Sequence, residues 1–311
     1  MYANLGICMK TLHIIPVIPV YLIISTVIYA LTQNYTFDNN SSLFKTLVLI
    51  LFYFSATMVI VCHTFAMFSD PGVVKIQPND YEKYNSTNNS HNHALYCKKC
   101  PGPRPDRSHH CKVCKKCIMK MDHHCPWIAN CVGLCNIKYF YLFLFYATLG
   151  DLIAAVVLYF KFKQTDITDK FKNQTASTLY ELIIIFKEQI ILLIGIMFAI
   201  AMTVSIGFLF YLQTKNIIND TTTLELICEF KNKSVINRKK FENFKYIMGD
   251  KIYKWFLPIQ SAEILILKSQ NKHNSNEAGK SSDINNENYI SLTDNIHDFD
   301  DSIHINLKLT D

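Results

Sequence analysis

Glycine, proline and tryptophan are scarce in this chain of 311 residues, with Gly 9, Pro 9 and Trp 2. Such low glycine and proline contents exclude a collagen-like fibre and a Pro/Gly-rich disordered chain. Charged residues are also few, at 18% against about 25% in an average soluble domain, while hydrophobic residues reach 50%. The 11 cysteines are an odd number, and most of them lie between positions 97 and 135, which excludes a small disulfide-stapled fold. The mean hydropathy of +0.12 averages very apolar and very polar stretches, so the distribution of apolar residues decides the class.

Four apolar stretches are each long enough to cross a bilayer: residues 12–31, 46–68, 139–160 and 189–212. A membrane-spanning helix needs about 20 mostly apolar residues to cross a hydrocarbon core of about 30 Å. Buried helices of a soluble protein are the alternative, but such helices carry a polar stripe that these stretches lack. The first stretch is also longer than the roughly 7–15 apolar residues of a cleaved signal peptide. The sequence therefore predicts a membrane α-helical fold with four transmembrane helices.

Lysine and arginine are concentrated between the second and third predicted spans, whereas the loop between the first two contains only Lys45. Loops rich in these residues stay on the cytosolic side, so we expect the loop 69–138 and both termini to be cytosolic. Residues 269–311 are rich in Asn, Ser and Asp, which predicts a disordered tail. The predicted organisation is a cytosolic N-terminus (1–11), two spans with a short lumenal loop (12–68), a cytosolic cysteine-rich domain (69–138), two further spans with a lumenal loop (139–212), a cytosolic C-terminal segment (213–268) and the tail (269–311).

The cysteine-rich loop carries zinc-ligand spacing. Two CxxC pairs, Cys97–Cys100 and Cys111–Cys114, are followed by further Cys and His residues, and thiolate and imidazole are ligands that zinc prefers. Because the cytosol keeps thiols reduced, metal binding is favoured over disulfides. The candidate ligands exceed the eight that two closed sites need: Cys97, Cys100, Cys111, Cys114, Cys117, Cys125 and Cys131 with His109, His110, His123 and His124.

Because there are more candidate ligands than two zinc sites need, Cys125 is a candidate for a reactive thiol rather than a metal ligand. An acid and a histidine, Asp122 and His123, stand three and two residues before it. A thiol outside the metal shell can be activated by a neighbouring histidine, and a carboxylate can orient that histidine and stabilise its imidazolium form. The alternative that spacing leaves open is a plain zinc module in which Cys125 is a spare ligand.

The segment Asp122-His123-His124-Cys125, within a cysteine-rich loop between the second and third spans, resembles the DHHC-family protein S-acyltransferases (palmitoyltransferases). The pattern continues through Pro126-Trp127, Asn130-Cys131, Gly133, Asn136 and Phe140 without a gap. Three flanking motifs also resemble that family: Asp70-Pro71-Gly72, Thr222-Thr223-Leu224-Glu225 and the C-terminal amphipathic segment 243–259, in which Met248 replaces a more usual aromatic residue. The resemblance covers roughly residues 12–260.

This resemblance implies a protein S-palmitoyltransferase that transfers a long-chain acyl group from acyl-CoA to protein cysteines through an acyl-enzyme on Cys125. His123 would be the general base and Asp122 its partner. Two structural Zn²⁺ ions would be bound by Cys97, Cys100, His110 and Cys117 and by Cys111, Cys114, His124 and Cys131. The implied partners are acyl-CoA, membrane-associated protein substrates with cytosolic cysteines, and the lipid bilayer, with no nucleic acid. The implied location is an endomembrane (ER or Golgi) or the plasma membrane, with the active site facing the cytosol.

Other functions would use the same residues in different roles. A membrane-anchored zinc-binding adaptor without catalysis, or a ubiquitin ligase with RING-like ligands, would use Cys125 as a ligand and would not need Asp122 or His123. A transporter or channel is suggested by Asp151 within the third predicted span, although a single internal acid makes a poor pathway. A catalytically inactive family member is a further alternative, against which the intact Asp-His-His-Cys segment argues.

Gly150 lies about eleven residues into the third predicted span. The resemblance implies that this span lines the far end of an acyl cavity, where a glycine would leave room for chains longer than sixteen carbons. Close helix packing by a small residue is the alternative explanation.

Overall fold

The computed structural model describes residues 15–36, 43–75, 95–100, 102–164, 179–228, 239–261 and 264–267. The predicted N-terminal segment 1–11 and the predicted tail 269–311 lie outside these ranges. Four long helices, two short helices and three small hairpins make up the described fold. The helices are α1 Val17–Thr36, α2 Leu43–Phe68, α3 Ile137–Gln164, α4 Leu179–Ile218, α5 Thr223–Ile227 and α6 Lys240–Met248.

Three two-stranded antiparallel hairpins follow one another between α2 and α3. They pair β1 Leu95–Cys97 with β2 Gly102–Arg104, β3 His109–Cys111 with β4 Lys116–Ile118, and β5 His123–Cys125 with β6 Asn130–Val132. Short 3-10 helices cover Pro126–Ile128 and Ile252–Phe256. The cysteine-rich region is thus inserted between the second and third long helices.

Three of the helices are long and apolar enough to cross a membrane, over Leu43–Phe68, Ile137–Lys163 and Phe186–Ile218. The first predicted span corresponds to α1, whose described apolar stretch, Val17–Tyr29, is shorter than a crossing requires. Pro19 lies in the first turn of α1, where a proline is tolerated because its missing N–H has no helical partner there. A fourth crossing remains a prediction.

Helix α3 is the centre of the helical part. It packs along both α2 and α4. Half of the residues in the most apolar part of α3 are buried, whereas only 17% of those in the most apolar part of α4 are. A Cβ atom on Gly150 would lie 3.3 Å from the Ser55 hydroxyl oxygen of α2, so this glycine is at a close helix–helix contact. The contact agrees with the packing explanation, and the expectation about longer acyl chains stays a prediction. The outer face of α4 exposes apolar side chains such as Ile194, Met197 and Val204, which suits a lipid environment.

The C-terminal segment is bound to the start of α3. The ammonium group of Lys138, which is fully buried, donates to the carbonyl oxygens of Met248 at 2.6 Å and Ile259 at 2.5 Å. The side chain of Gln260 donates to the Cys135 carbonyl oxygen at 2.9 Å. These bonds satisfy a buried charge with backbone acceptors and bring the predicted amphipathic segment next to the cysteine-rich region.

Candidate active site

Two groups of four side chains lie close enough to surround a metal ion: Cys97, Cys100, His110 and Cys117, and Cys111, Cys114, His124 and Cys131. In the first group, His110 Nδ1 lies 3.7, 3.2 and 3.9 Å from the sulfurs of Cys97, Cys100 and Cys117. In the second group, His124 Nδ1 lies 3.7, 3.4 and 3.6 Å from those of Cys111, Cys114 and Cys131.

These separations fit zinc. A tetrahedron with Zn–S bonds of about 2.3 Å and a Zn–N bond of about 2.0 Å has N···S edges of about 3.5 Å. Three thiolates and one imidazole also form a closed, chemically quiet donor set. The two clusters therefore fit two structural zinc sites, which would fix the hairpins relative to one another.

The pleat of the hairpins explains why the two groups interleave. In β3, His110 and Cys111 are neighbours, and successive side chains of a strand point to opposite faces. His110 therefore joins the first group, together with Cys117, which faces it across the hairpin. Cys111 joins the second group.

The same alternation separates Cys125 from the metal-type cluster. On β5, His124 pairs with Cys131 across the hairpin, and both belong to the second group. His123 and Cys125 point to the other face of the strand. There Cys125, 4% exposed, is part of a buried apolar cluster with Met58 and Val59 of α2.

The side chains of Asp122 and His123 are hydrogen-bonded to each other. His123 Nδ1 lies 2.7 Å from Asp122 Oδ2, and the His123 ring packs edge-on against Phe140 at a centroid distance of 5.3 Å. Burial alone would lower the pKa of His123, but hydrogen bonds to Asp122 and Cys125 raise it to about 9. The imidazole thus lies between a carboxylate and a thiol, which is the order that an activated nucleophile requires.

Asp122 is itself held by residues far away in sequence. Its side chain is buried and accepts bonds from Gln213 Nε2 at 2.8 Å, from the Thr223 backbone N at 2.6 Å and from Thr223 Oγ1 at 3.1 Å. Burial would raise the pKa of Asp122, but the bonds from His123, Thr223 and Gln213 lower it. The carboxylate is therefore ionised and fixed on all sides.

The Thr222–Glu225 motif forms a capping box at the start of α5. Thr222 Oγ1 accepts from the Glu225 backbone N at 3.2 Å, and Glu225 Oε2 accepts from the Thr222 backbone N at 2.9 Å. The cap fixes Thr223, which binds Asp122. Arg107 in the cysteine-rich region clamps this turn by donating to Glu225 Oε1 at 2.6 Å and to Asp220 Oδ2 at 2.7 Å.

The flanking motifs attach the hairpins to the end of α2. The Asp70 carboxylate accepts from the backbone N of Gly72 and of Val73, both at 2.8 Å. Gly72 has φ +100°, a conformation that glycine adopts without a Cβ penalty. The Asn130 side chain donates to the carbonyl oxygens of Ala66, Met67 and Ser69 at 3.1, 3.1 and 2.9 Å. These bonds satisfy two carbonyl groups in the last turn of α2, which have no partner within the helix, and that of Ser69 just after it.

Comparison with known proteins agrees with this geometry. A family model of the DHHC palmitoyltransferase domain matches residues 90–229. Probable protein S-acyltransferase 13 of Arabidopsis thaliana is 33% identical over 242 residues, which cover 71% of this chain and 75% of that protein. Palmitoyltransferase ZDHHC3 of Homo sapiens is 34% identical over 204 residues, 64% of each chain.

The chain belongs to the DHHC palmitoyltransferase family. It is a protein S-palmitoyltransferase of a membrane, which uses acyl-CoA and protein substrates. The alternative of a zinc-binding adaptor without catalysis is not favoured.

The structure brings together the residues that the sequence singled out and adds others. Cys125, His123 and Asp122 lie in one chain of contacts, and the eight implied zinc ligands fall into the two implied groups. Sequence reasoning missed Gln213, Arg107 and Lys138. Arg107 and Lys138 stood out only as basic residues of the loop, and Gln213, one residue beyond the predicted fourth span 189–212, carried no signal.

Proposed function

We propose that Cys125 is the thiol that carries the acyl group in this palmitoyltransferase. The observation that supports this most directly is the alternation on β5, which turns Cys125 away from the cluster containing His124 and toward His123. A thiol in the metal shell would be consumed as a ligand, whereas one beside an oriented imidazole can be deprotonated.

The reaction consists of two thioester exchanges. His123 Nε2 accepts the Cys125 proton, and the thiolate attacks the carbonyl carbon of the acyl-CoA. A bond forms between Cys125 Sγ and the acyl carbon, the bond to the CoA sulfur breaks, and the CoA thiolate takes a proton from the imidazolium. A cysteine thiol of the substrate protein then loses its proton to His123, and its sulfur attacks the acyl carbon. A bond forms between that sulfur and the acyl carbon, the bond to Cys125 Sγ breaks, and the Cys125 thiolate takes the proton back from the imidazolium. Asp122 holds His123 in position and stabilises its protonated form.

The position of Cys125 suits a lipid substrate. Its buried cluster includes residues of α2 and α3, two of the membrane-capable helices. The acyl chain prefers the bilayer interior by about 0.8 kcal/mol per buried methylene. The CoA phosphates prefer water and basic side chains, of which the cysteine-rich region has many. A thiol at the junction of these regions meets the thioester where its apolar and charged parts join.

We further propose that the cysteine-rich region and both chain ends face the cytosol, in an endomembrane (ER or Golgi) or the plasma membrane. Positive charge between α2 and α3 supports this orientation. The eight Cys and His residues of the two groups would bind the zinc ions, whose contribution is to order the loop rather than to react. The protein substrates would then be membrane-associated proteins with cytosolic cysteines.

Acyl labelling of the purified protein tests the proposal. Wild type, Cys125→Ser, His123→Ala and the control Cys228→Ser are incubated with alkyne-tagged palmitoyl-CoA and then treated with neutral hydroxylamine, which cleaves thioesters. Cys228 is a suitable control because it is an exposed thiol beyond α5. We expect hydroxylamine-sensitive label on wild type and Cys228→Ser, no label on Cys125→Ser and much less on His123→Ala. Equal label on wild type and Cys125→Ser, with both proteins binding two zinc ions, would overturn the proposal.

A further inference from the structure

A histidine of α2 reaches into the turn that follows Cys125. His63 is fully buried, and its Nε2 lies 3.0 Å from the carbonyl oxygen of Trp127. Because a carbonyl oxygen accepts only, this imidazole must carry a proton on Nε2 and donate it. Trp127 stands two residues after Cys125, within the short 3-10 helix Pro126–Ile128 that connects β5 to β6.

The other nitrogen of the same ring is bound by α1. His63 Nδ1 lies 3.1 Å from the hydroxyl oxygen of Tyr21, which can donate to it. Tyr21 is also 3.3 Å from the Thr64 hydroxyl, but Thr64 already donates its proton to Ile60 within α2. A neutral His63 therefore has one donor bond and one acceptor bond, and both are satisfied. A chain of hydrogen bonds through Tyr21, His63 and Trp127 links α1 and α2 to the turn that follows Cys125.

The turn between β5 and β6 is also fixed at its base and by Ile128, which is fully buried in the same apolar cluster as Cys125. Cys125 pairs with Asn130 across the hairpin, and Asn130 binds the end of α2 through its side chain. The Trp127 side chain, at the apex of the turn, is half-exposed, so its own packing does little to hold the apex in place. The His63 bond is a contact that holds the apex itself through the backbone.

We propose that His63 is a positioning residue for Cys125: by holding the Trp127 carbonyl, it fixes the turn that aims the thiol at the acyl carbonyl carbon. His63 does not touch the reacting atoms. The inference rests on the proposed role of Cys125, since the turn matters only if this thiol is acylated. It assigns a function in acyl transfer to a membrane helix residue that belongs to none of the motifs.

The test compares side chains that can and cannot donate at the Nε2 position. His63→Leu removes the donor, His63→Gln keeps an N–H donor of similar reach, and His63→Asn is equally polar but too short to reach Trp127. Thr57→Val is the matched control, because Thr57 is exposed on the same helix and its hydroxyl donates to Tyr53 within α2. Each full-length protein is purified in detergent. Zinc content is measured, and the rate of Cys125 acylation is followed by intact-protein mass spectrometry over a series of palmitoyl-CoA concentrations.

We expect His63→Leu and His63→Asn to lower the maximal acylation rate about tenfold, since small displacements of a reacting group cost large factors in rate. The palmitoyl-CoA concentration at half-maximal rate should stay near that of wild type, and both zinc ions should be retained. His63→Gln and Thr57→Val should acylate nearly as fast as wild type. A merely structural role would not produce this difference between Gln and Asn.

Two results would overturn the inference: a wild-type maximal rate in His63→Asn, or equal defects in His63→Gln and His63→Asn. Cys125→Ser, run alongside, separates this failure from failure of the proposed function. If Cys125→Ser is labelled like wild type, the role of Cys125 is wrong. If it is unlabelled while the His63 variants behave like wild type, only the positioning role is wrong.

Discussion

Replacing Arg107 by methionine should loosen the contact between the cysteine-rich region and the turn after α4. The Arg107 guanidinium donates to both carboxylate oxygens of Glu225, at 2.6 and 2.9 Å, and to Asp220 Oδ2 and the Asp220 carbonyl oxygen, at 2.7 and 2.6 Å. Methionine keeps most of the apolar volume but removes all of these donors. Asp220 keeps an ion pair with Lys120, whereas Glu225 keeps the backbone bonds of its capping box and loses its cation.

Burial sets the size of the effect. The Arg107 and Glu225 side chains are 12% and 3% exposed, so this ion pair is not a surface pair of about 0–1 kcal/mol. Removing one partner of a buried pair costs about 3–5 kcal/mol because the other charge remains unpaired. For a chain of this size that corresponds to a fall of about 10 °C in the apparent unfolding midpoint. The Cys125 acylation rate should fall too, because the loosened turn carries Thr223, which binds Asp122.

The assay is scanning fluorimetry of the purified protein in detergent, with Lys112→Met as the control. Lys112 is an exposed lysine of the same region, and its loss should move the midpoint by less than about 2 °C. The double variant Arg107→Met with Glu225→Gln neutralises the carboxylate that lost its guanidinium partner and should be more stable than Arg107→Met alone. If Arg107→Met behaves like Lys112→Met, or if the double variant shows the sum of the two single losses, the buried-pair reasoning is refuted.

Four further predictions concern the site. Asp122→Asn should lower the Cys125 acylation rate about 10²–10⁴-fold with zinc content unchanged, because an amide cannot accept all four bonds of the carboxylate; single-turnover labelling measures it. Gln213→Leu removes one of these bonds and should cost about 10-fold in the same assay, whereas a wild-type rate would mean that the other bonds suffice. Zinc removal by a strong chelator should unfold the cysteine-rich region and expose its thiols to maleimide in step with loss of activity; activity that survives full zinc loss would contradict a structural metal. Gly133→Ala should prevent stable folding or cost several kcal/mol, about 3 or more, because the added Cβ would lie 2.5 Å from the Pro71 carbonyl oxygen and 2.6 Å from Ile118, and a normal expression level and unfolding midpoint would disprove it.

The parts of the site that sequence could predict are those whose residues are close together along the chain. The candidate ligands and the Asp122–Cys125 segment fall within 35 consecutive positions, 97–131, so their spacing carries the metal chemistry and the candidate nucleophile. Spacing alone left open which cysteines share a metal and whether Cys125 is a ligand. Both questions depend on which side chains share a face of a hairpin, which is a property of strand pairing.

The parts that sequence could not predict depend on contacts between distant positions. Gln213 reaches Asp122 from 91 positions away, Arg107 reaches Glu225 from 118, and His63 reaches Trp127 from 64. Each of these residues lies in a segment whose pattern is explained without it: an apolar span for His63, the position just after one for Gln213, and a basic loop for Arg107. Only the tertiary structure distinguishes such a residue from its neighbours. The spans themselves were predicted from apolar length, and α1 differs because its described apolar stretch is shorter than the predicted one.

Strand β5 lets one short segment meet two opposing requirements, and this explains why four functional residues are consecutive: Asp122, His123, His124 and Cys125. The zinc-type cluster would hold the loop firmly, whereas the thiol proposed to carry the acyl group must stay out of the metal shell. Placing His124 on one face of β5 and His123 with Cys125 on the other meets both demands within three residues. Inserting or deleting one residue here would reverse every side chain beyond that point, so that Cys125 would turn toward the metal or away from His123. The spacing of this motif is therefore as essential to the chemistry as the identity of its residues.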